Sequence, residues 1–335
     1  MKTLIHEFLD IEAEIFGVSQ SCYDTIDDIL EIARININIE AAPKDILREI
    51  SGILEGYGFS YEVSVRFSEA LQTKKIDCKE YSVLYYSIAE ELGLPLNIVS
   101  VSDHLFVRWD DGKNLFNWET TDNISTELSV EDSRYILDFN IHEESILNGV
   151  YMKNLTREEI KSIAFNINAK SKFDLEDIDG AIDDFSKAIE LHPNSPHSYN
   201  NRGFANIHLN DLEEALDDFN KAIELDPNYE NGYFNRGGVK AYLDDFDGAL
   251  DDFNKIIELN SNSAKAYYNC GSIKASQDDF KEAKNYFDKA IELNPDFAEA
   301  YYARGTVKVS LGDMSGSRDD FDKAEELNLD SIYMI

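Results

Sequence analysis

The second half of the chain repeats itself every 34 residues, and a period of that length admits only a fold of stacked supersecondary units. Gly203, Gly237, Gly271 and Gly305 form one column, and Phe219, Phe253, Phe287 and Phe321 form another. Ala215, Ala249 and Ala283 make a third, and Ala222, Ala290 and Ala324 a fourth, with Ile256 as its exception. Pro193, Pro227 and Pro295 close repeats, where Ser261 and Leu329 stand in two others. Ala169, Ala181, Phe185 and Ala188 extend the pattern one period upstream as a degenerate first unit. Five units result, at about 162–195, 196–229, 230–263, 264–297 and 298–331. Small residues fit where two helices cross closely, phenylalanines fill the space between hairpins, and proline stops the second helix.

At this period and with these columns the sequence resembles the tetratricopeptide repeat (TPR) family. The resemblance implies an all-α right-handed α-solenoid, a superhelix whose concave groove is lined by the first helix of each repeat and binds a protein or peptide. The residues expected to face the groove are Asn200, Phe234, Tyr268 and Tyr302, with Phe204, Ser272 and Thr306 one turn on. Relatives that clamp a C-terminal carboxylate carry lysines and asparagines there, so that specificity does not transfer. Arg202, Arg236 and Arg304 also recur and are expected to pair with aspartates around Asp218 and Asp252. Asp177-Ile178-Asp179-Gly180 and Asp245-Phe246-Asp247-Gly248 imitate pieces of a calcium loop, but Leu175 or Leu243 would be the first ligand, so they read as turns between paired helices.

The charge balance narrows the partners. Sixty-six acidic residues face 31 basic ones, a net charge of −35, which repels phosphate backbones and suits basic or neutral proteins. No nucleic acid and no membrane is expected as partner. No apolar run approaches a membrane span, no leader opens the chain, and three scattered cysteines make no disulfide framework, so a cytoplasmic, acidic protein without cofactor or metal is expected. The apolar end Ile332-Tyr333-Met334-Ile335 suggests self-association through the C-terminal tail.

Residues 1–150 show no repeat, and the boundary is expected near 151–161. Helical patterns at 1–16, 23–37 and 43–57 precede a short apolar pattern at 63–71. In the segment KKIDCKEYSVLYYSIAEELGLP (74–95), Asp77 is an N-cap and Glu80 completes a capping box, so Cys78 opens a helix where unpaired N–H groups favour a thiolate. Cys22 and Cys270 read as structural, and His6, His142, His192, His197 and His208 as solvated or capping residues. Strands follow at Leu96–Val101, 104–109 and 114–120. Asp111-Gly112 predicts a two-residue hairpin turn, which would set His104 across from Glu119 and Phe106 across from Asn117. The other face would carry Leu105, Val107, Trp109, Phe116 and Trp118.

A Cys-headed helix ending in Gly93-Leu94-Pro95, then HLFVRW (104–109) and FNWETT (116–121), resembles the transglutaminase-like superfamily of papain-type cysteine enzymes. The resemblance implies an α+β domain over 1–150, with Cys78 as nucleophile, His104 as general base and acid, and Glu119 as orienting acid, Asn117 being its rival. The Cys78 thiolate would attack an amide or thioester carbonyl, with water as acceptor giving hydrolysis or deamidation and an amine giving transamidation. Two functions remain open at this point. One is a repeat scaffold joined to an amide-processing Cys-His-Glu enzyme. The other is a non-catalytic interaction adaptor whose cysteine-enzyme fold is vestigial.

Overall fold

The computed structural model describes residues 2–61, 67–76, 78–101, 104–118, 129–130, 145–146 and 150–327. The chain divides into two compact units, residues 1–211 with 224–228, and residues 212–223 with 229–335.

The first unit opens with three amphipathic helices, α1 (Leu4–Phe16), α2 (Gln20–Asn36) and α3 (Pro43–Gly56). Strand β1 (Ser60–Tyr61), α4 (Phe67–Thr73) and β2 (Lys75–Ile76) lead into α5 (Cys78–Leu92), with β1 and β2 paired in parallel. An antiparallel sheet follows in the order β3 (Leu96–Val101), β4 (His104–Asp110), β5 (Leu115–Trp118) and β6 (Ser129–Val130). Alternation sorts its faces. Leu105, Val107, Trp109 and Trp118 join Tyr81, Leu84, Tyr85 and Ile88 of α5 in one core with α1, α2 and α3. Val99, Val101 and Phe106, on the opposite face, pack with Val150, Tyr151 and Leu225. The free edge of β3 is covered by residues 152–155, whose Met152 and Leu155 amides donate to the Ser100 and Ile98 carbonyls.

The hairpin register differs from the sequence expectation by two residues. Arg108, not Phe106, lies across from Asn117, and Val107 lies across from Trp118. The cause is Asp111. Its carboxylate accepts the Lys113 and Asn114 amides at 2.8 and 2.6 Å, the Asn114 side chain at 2.8 Å and the Trp109 indole at 3.0 Å. These bonds close a four-residue loop, 111–114, in place of the two-residue turn, and they hold the Asp111 carboxyl well below its ordinary range, with the Asn114 side chain contributing most. A shift of two preserves which face each side chain occupies, so the apolar face survives although the opposed pairs change.

The helical hairpins begin with α6 (Arg157–Asp174) and α7 (Ile178–Leu191), followed by α8 (Pro196–His208) and α9 (Leu212–Leu225). Thr156 and Glu159 close a capping box on α6. Helix α6 also docks on α1, where the Asn168 amide donates to the Ile11 carbonyl at 3.0 Å and Arg157 pairs with Glu7 at 3.1 Å and with Glu90. His192, expected to be solvated or capping, does cap α7 but is buried, because the capping-box acid Glu159 and Lys153 close over it. Its Nε2 finds no hydrogen-bond partner among the described residues. Burial is the main cause holding its pKa below the usual 6.5.

The second unit contains three complete hairpins, α10 (Glu230–Tyr242) with α11 (Phe246–Leu259), α12 (Ala264–Ser276) with α13 (Phe280–Leu293), and α14 (Ala298–Ser310) with α15 (Met314–Glu326). Three devices recur at the period of the sequence. The turn residue takes a left-handed conformation at Asp244, Asp278 and Gly312, as at Glu176 and Asn210 upstream. The next residue, Asp245, Asp279 or Asp313, caps the second helix with its carboxylate, so the apparent calcium motif is a helix cap. Bidentate pairs then lock the first and third of these hairpins internally: Arg236 holds buried Asp252 at 3.0 and 2.5 Å, and Arg304 holds buried Asp320 at 2.9 and 2.6 Å.

Glycine sets the closeness of each crossing. A Cβ on Gly271 would stand 2.8 Å from the Phe287 ring, and one on Gly305 2.8 Å from the Phe321 ring. On Gly238, by contrast, a Cβ meets nothing within 4 Å. Gly271→Ala is expected to lower stability by about 1–3 kcal/mol through overpacking, and Gly238→Ala to raise it by about 0.5–1 kcal/mol through helix propensity. Thermal unfolding of the two variants checks both signs.

Acid should act through His192. The unfolded chain takes up the proton first, so folded stability falls as pH drops below the 6.5 of an ordinary histidine. Glu159, held below its usual 4.5 despite burial by the Lys153 bond, adds a further loss below that pH. Urea unfolding measured across pH should show the first slope flattened in His192→Asn.

Candidate functional site

The first candidate lies in the second unit, on the first helix of each hairpin. Phe234, Tyr268 and Tyr302 occupy the same position in three successive repeats, and each ring rests on the phenylalanine of its own second helix. The centroid separations are 5.9 Å for Phe234–Phe253, 5.7 Å for Tyr268–Phe287 and 5.3 Å for Tyr302–Phe321. Tyr268 also leans on Phe297 at 5.1 Å. These rings are not swallowed by the core: Phe234 is 37% exposed, and the two tyrosines are half-buried. Beside them, one turn on, stand Gly238, Ser272 and Thr306, with Gly238 and Thr306 exposed. The result is a row of aromatic faces flanked by small residues, with no charged side chain in either column.

The hairpin locks hold that row in place. Arg236 and Arg304 sit two residues past Phe234 and Tyr302, and each guanidinium lies over a tyrosine ring of its own helix, at 5.5 Å for Tyr233 and 5.4 Å for Tyr301. In the middle repeat both members of the ion pair are replaced together, Arg by Cys270 and Asp by Tyr286. Cys270 is fully buried, and burial pushes its thiol up to about 12, consistent with a structural role.

In the first unit, the corresponding helix differs. Asn200 is buried, 6% exposed, where exposure was expected. Helix α6 closes against the start of α8, the Asn166 amide donating to Ser198 at 2.9 Å, and this narrows the space around the N-terminal half of α8. Phe204 is exposed, 42%, and meets the Phe173 ring at a tilt at 5.5 Å and the His208 ring edge-on at 5.3 Å.

The second candidate is also in the first unit. Cys78 is the first residue of α5 and is 7% exposed, at a helix start, where backbone amides lack partners within the helix. His104 is the first residue of β4 and is half-buried. Helix α5, with 15 residues, rises about 22 Å, and β3, with 6 residues, spans about 20 Å. Alternation turns His104 to the face of β4 that also bears Phe106 and Arg108, with the two aromatic rings 6.4 Å apart. Asn117 is buried across from Arg108, whose Nε donates to it at 2.8 Å and whose Nη1 reaches the Met152 carbonyl at 3.1 Å. Glu119 and Asp77 lie outside the described residues, as does the tail Ile332-Tyr333-Met334-Ile335. Lys74, in a left-handed conformation, lies over the Phe59 and Tyr57 rings at 4.7 and 5.6 Å. No helix among the described residues is long and apolar enough to cross a membrane, and among them no cluster of His, Cys, Asp and Glu could hold a metal ion.

The comparisons with known proteins bear on the helical hairpins. Tetratricopeptide repeat models match residues 196–229 and 264–297, a TPR repeat model matches 169–209, and a further tetratricopeptide repeat model matches 298–331. Residues 230–263 lie between these spans and fold as the same hairpin, with Gly237, Asp252 and Phe253 in their columns. No curated protein matches the chain. Among solved structures, MamA is 25% identical, with 49% of this chain and 96% of that chain covered and a TM-score of 0.44. YrrB, described as a TPR protein with an unusual peptide-binding site, is 23% identical, with 51% and 88% covered and a TM-score of 0.42. PilF of Pseudomonas aeruginosa is 15% identical, with 52% and 79% covered and a TM-score of 0.48. The second half of this chain is thus built of tetratricopeptide repeats.

Proposed function

We propose that the chain is a protein-binding scaffold whose second unit captures a peptide or partner segment on the row formed by Phe234, Tyr268 and Tyr302. The observation that carries this reading is the combination of exposure and support at those rings. Each presents one face outward while a phenylalanine behind it fixes its orientation, as Tyr268 is held by Phe287 and Phe297. Rigid, part-exposed aromatics lose little conformational entropy on binding and dominate interface energies. The absence of charge in both columns selects uncharged or apolar side chains in the bound segment over a carboxylate terminus.

Panning a displayed peptide library against the full chain tests it. Selected peptides should lose at least about tenfold in affinity for Phe234→Ala, Tyr268→Ala and Tyr302→Ala combined, with helicity by circular dichroism retained. Peptides that bind the triple variant as well as the parent would remove these rings from the site.

A second reading is favoured by the matching lengths of α5 and β3, which would bring the starts of α5 and β4 to one level if β3 runs back along the helix. In it the first unit is a transglutaminase-like cysteine enzyme that Cys78 and His104 operate, with Glu119 or Asn117 orienting the imidazole. His104 takes the Cys78 proton, the thiolate adds to an amide carbonyl, and the amine leaves with that proton. Water or a second amine then releases the acyl group from sulfur. This requires the His104 ring to reach round the start of β4 toward the start of α5. Alkylation of Cys78 by iodoacetamide near pH 6.5, two units below an ordinary thiol, reads the activation directly. The parent should react at least about tenfold faster than His104→Ala; equal slow rates leave the scaffold alone.

A further inference from the structure

Helices α2 and α3 of the first unit leave an open groove of about 570 Å³ between their C-terminal halves. Ile32, Ile37, Ile53 and Tyr57 wall it, and Gly52 and Gly56, four residues apart on α3, form its floor. The glycines have no reason internal to the fold. Neither has a positive φ, and a Cβ on either meets nothing within 4 Å. Glycine inside a helix costs about 0.5–1 kcal/mol relative to alanine, so Gly52 lowers stability while filling no tight space. What a glycine pair at this spacing supplies is bare helix backbone, against which a second helix can lie closely.

The apolar surface continues outside the groove. Ile32 and Ile35, three residues apart on α2, are 37% and 72% exposed, and Ile39, in the turn that follows the helix, is 51% exposed. The charges around it are one-sided. Glu49 lines the groove, and Asp28 stands close enough to the Tyr57 phenol to help raise its pKa, second to burial. Asp28, Glu31 and Glu55 are exposed and enter no ion pair among the described residues. The cations of the same two helices are engaged elsewhere, Arg34 on Glu91 at 2.7 Å, Arg48 on Asp45 at 2.5 Å and Lys44 over the Phe116 ring at 5.7 Å. Lys74, over Tyr57, is the one cation at the groove's end among the described residues.

We propose that the groove between α2 and α3 receives a basic amphipathic helix of another protein. The partner's apolar stripe lies on Gly52, Gly56 and Ile53, and its lysines or arginines meet Glu49 and Asp28. A second copy of this chain suits the site poorly, since a net charge of −35 on each copy opposes the approach.

A fluorescent model helix of leucine and lysine, about 18 residues or five turns long, serves as the probe against the full chain. Gly52→Leu fills the floor while improving helix propensity, so its melting temperature should hold or rise, and its affinity for the probe should fall at least about tenfold. Asp28→Asn with Glu49→Gln should weaken binding and flatten its dependence on salt. Equal binding by parent and Gly52→Leu would overturn the proposal, as would equal binding of a scrambled, non-amphipathic peptide of the same composition. A parent that sediments as a dimer dissociated by Gly52→Leu would overturn it too, by giving the groove to a second copy.

Discussion

Each complete hairpin of the second unit depends on a helix backbone laid directly against a phenyl ring. Where Gly271 faces Phe287 there is no room for a Cβ, and the same holds where Gly305 faces Phe321. That contact sets the crossing distance of the two helices, and the other recurring features need it. Only at that distance does Arg304 reach Asp320 with both nitrogens, and only then does Tyr302 lie back on the Phe321 ring that Gly305 admits. A structural contact in the core therefore fixes the orientation of the surface ring proposed to bind. Stability and recognition are coupled through one glycine per repeat.

The sequence announced much of this because the repeats state each requirement several times. A single Gly at 271 would say little, but four at one period reveal a column, and the same is true of the phenylalanines. The left-handed turn was less legible. Its column reads Glu176, Asn210, Asp244, Asp278 and Gly312, and what unites these residues is backbone conformation rather than side-chain chemistry. The burial of Asn200 and His192 was hidden for another reason. Both depend on neighbours outside their own repeat, which no column records.

The first half of the chain offers no internal repetition, and there the reading was coarser. Alternation alone separated Leu105, Val107 and Trp109 from His104, Phe106 and Arg108. It could not choose between registers that differ by two, since both satisfy the same faces. That choice fell to Asp111, whose three bonds to its own loop and one to Trp109 of β4 outweigh the turn preference of Asp-Gly. The placement of Cys78 at a helix start followed from local capping rules. Its proposed nearness to His104 rests on element lengths, which the sequence bounds but does not order in space.

The middle hairpin of the second unit carries Cys270 and Tyr286 where its neighbours carry arginine and aspartate. A buried charge stripped of its partner costs about 3–5 kcal/mol, a large share of the margin on which a domain survives. Losing the arginine alone is milder, because a lysine one turn on also holds the aspartate, as Lys240 holds Asp252 at 2.9 Å and Lys308 holds Asp320 at 2.8 Å. Asn168 stands in the arginine column of the first repeat, where Lys172 keeps Asp184. The aspartate, held by two cations, is therefore the more constrained letter of the pair, and the arginine is the one a repeat can give up first.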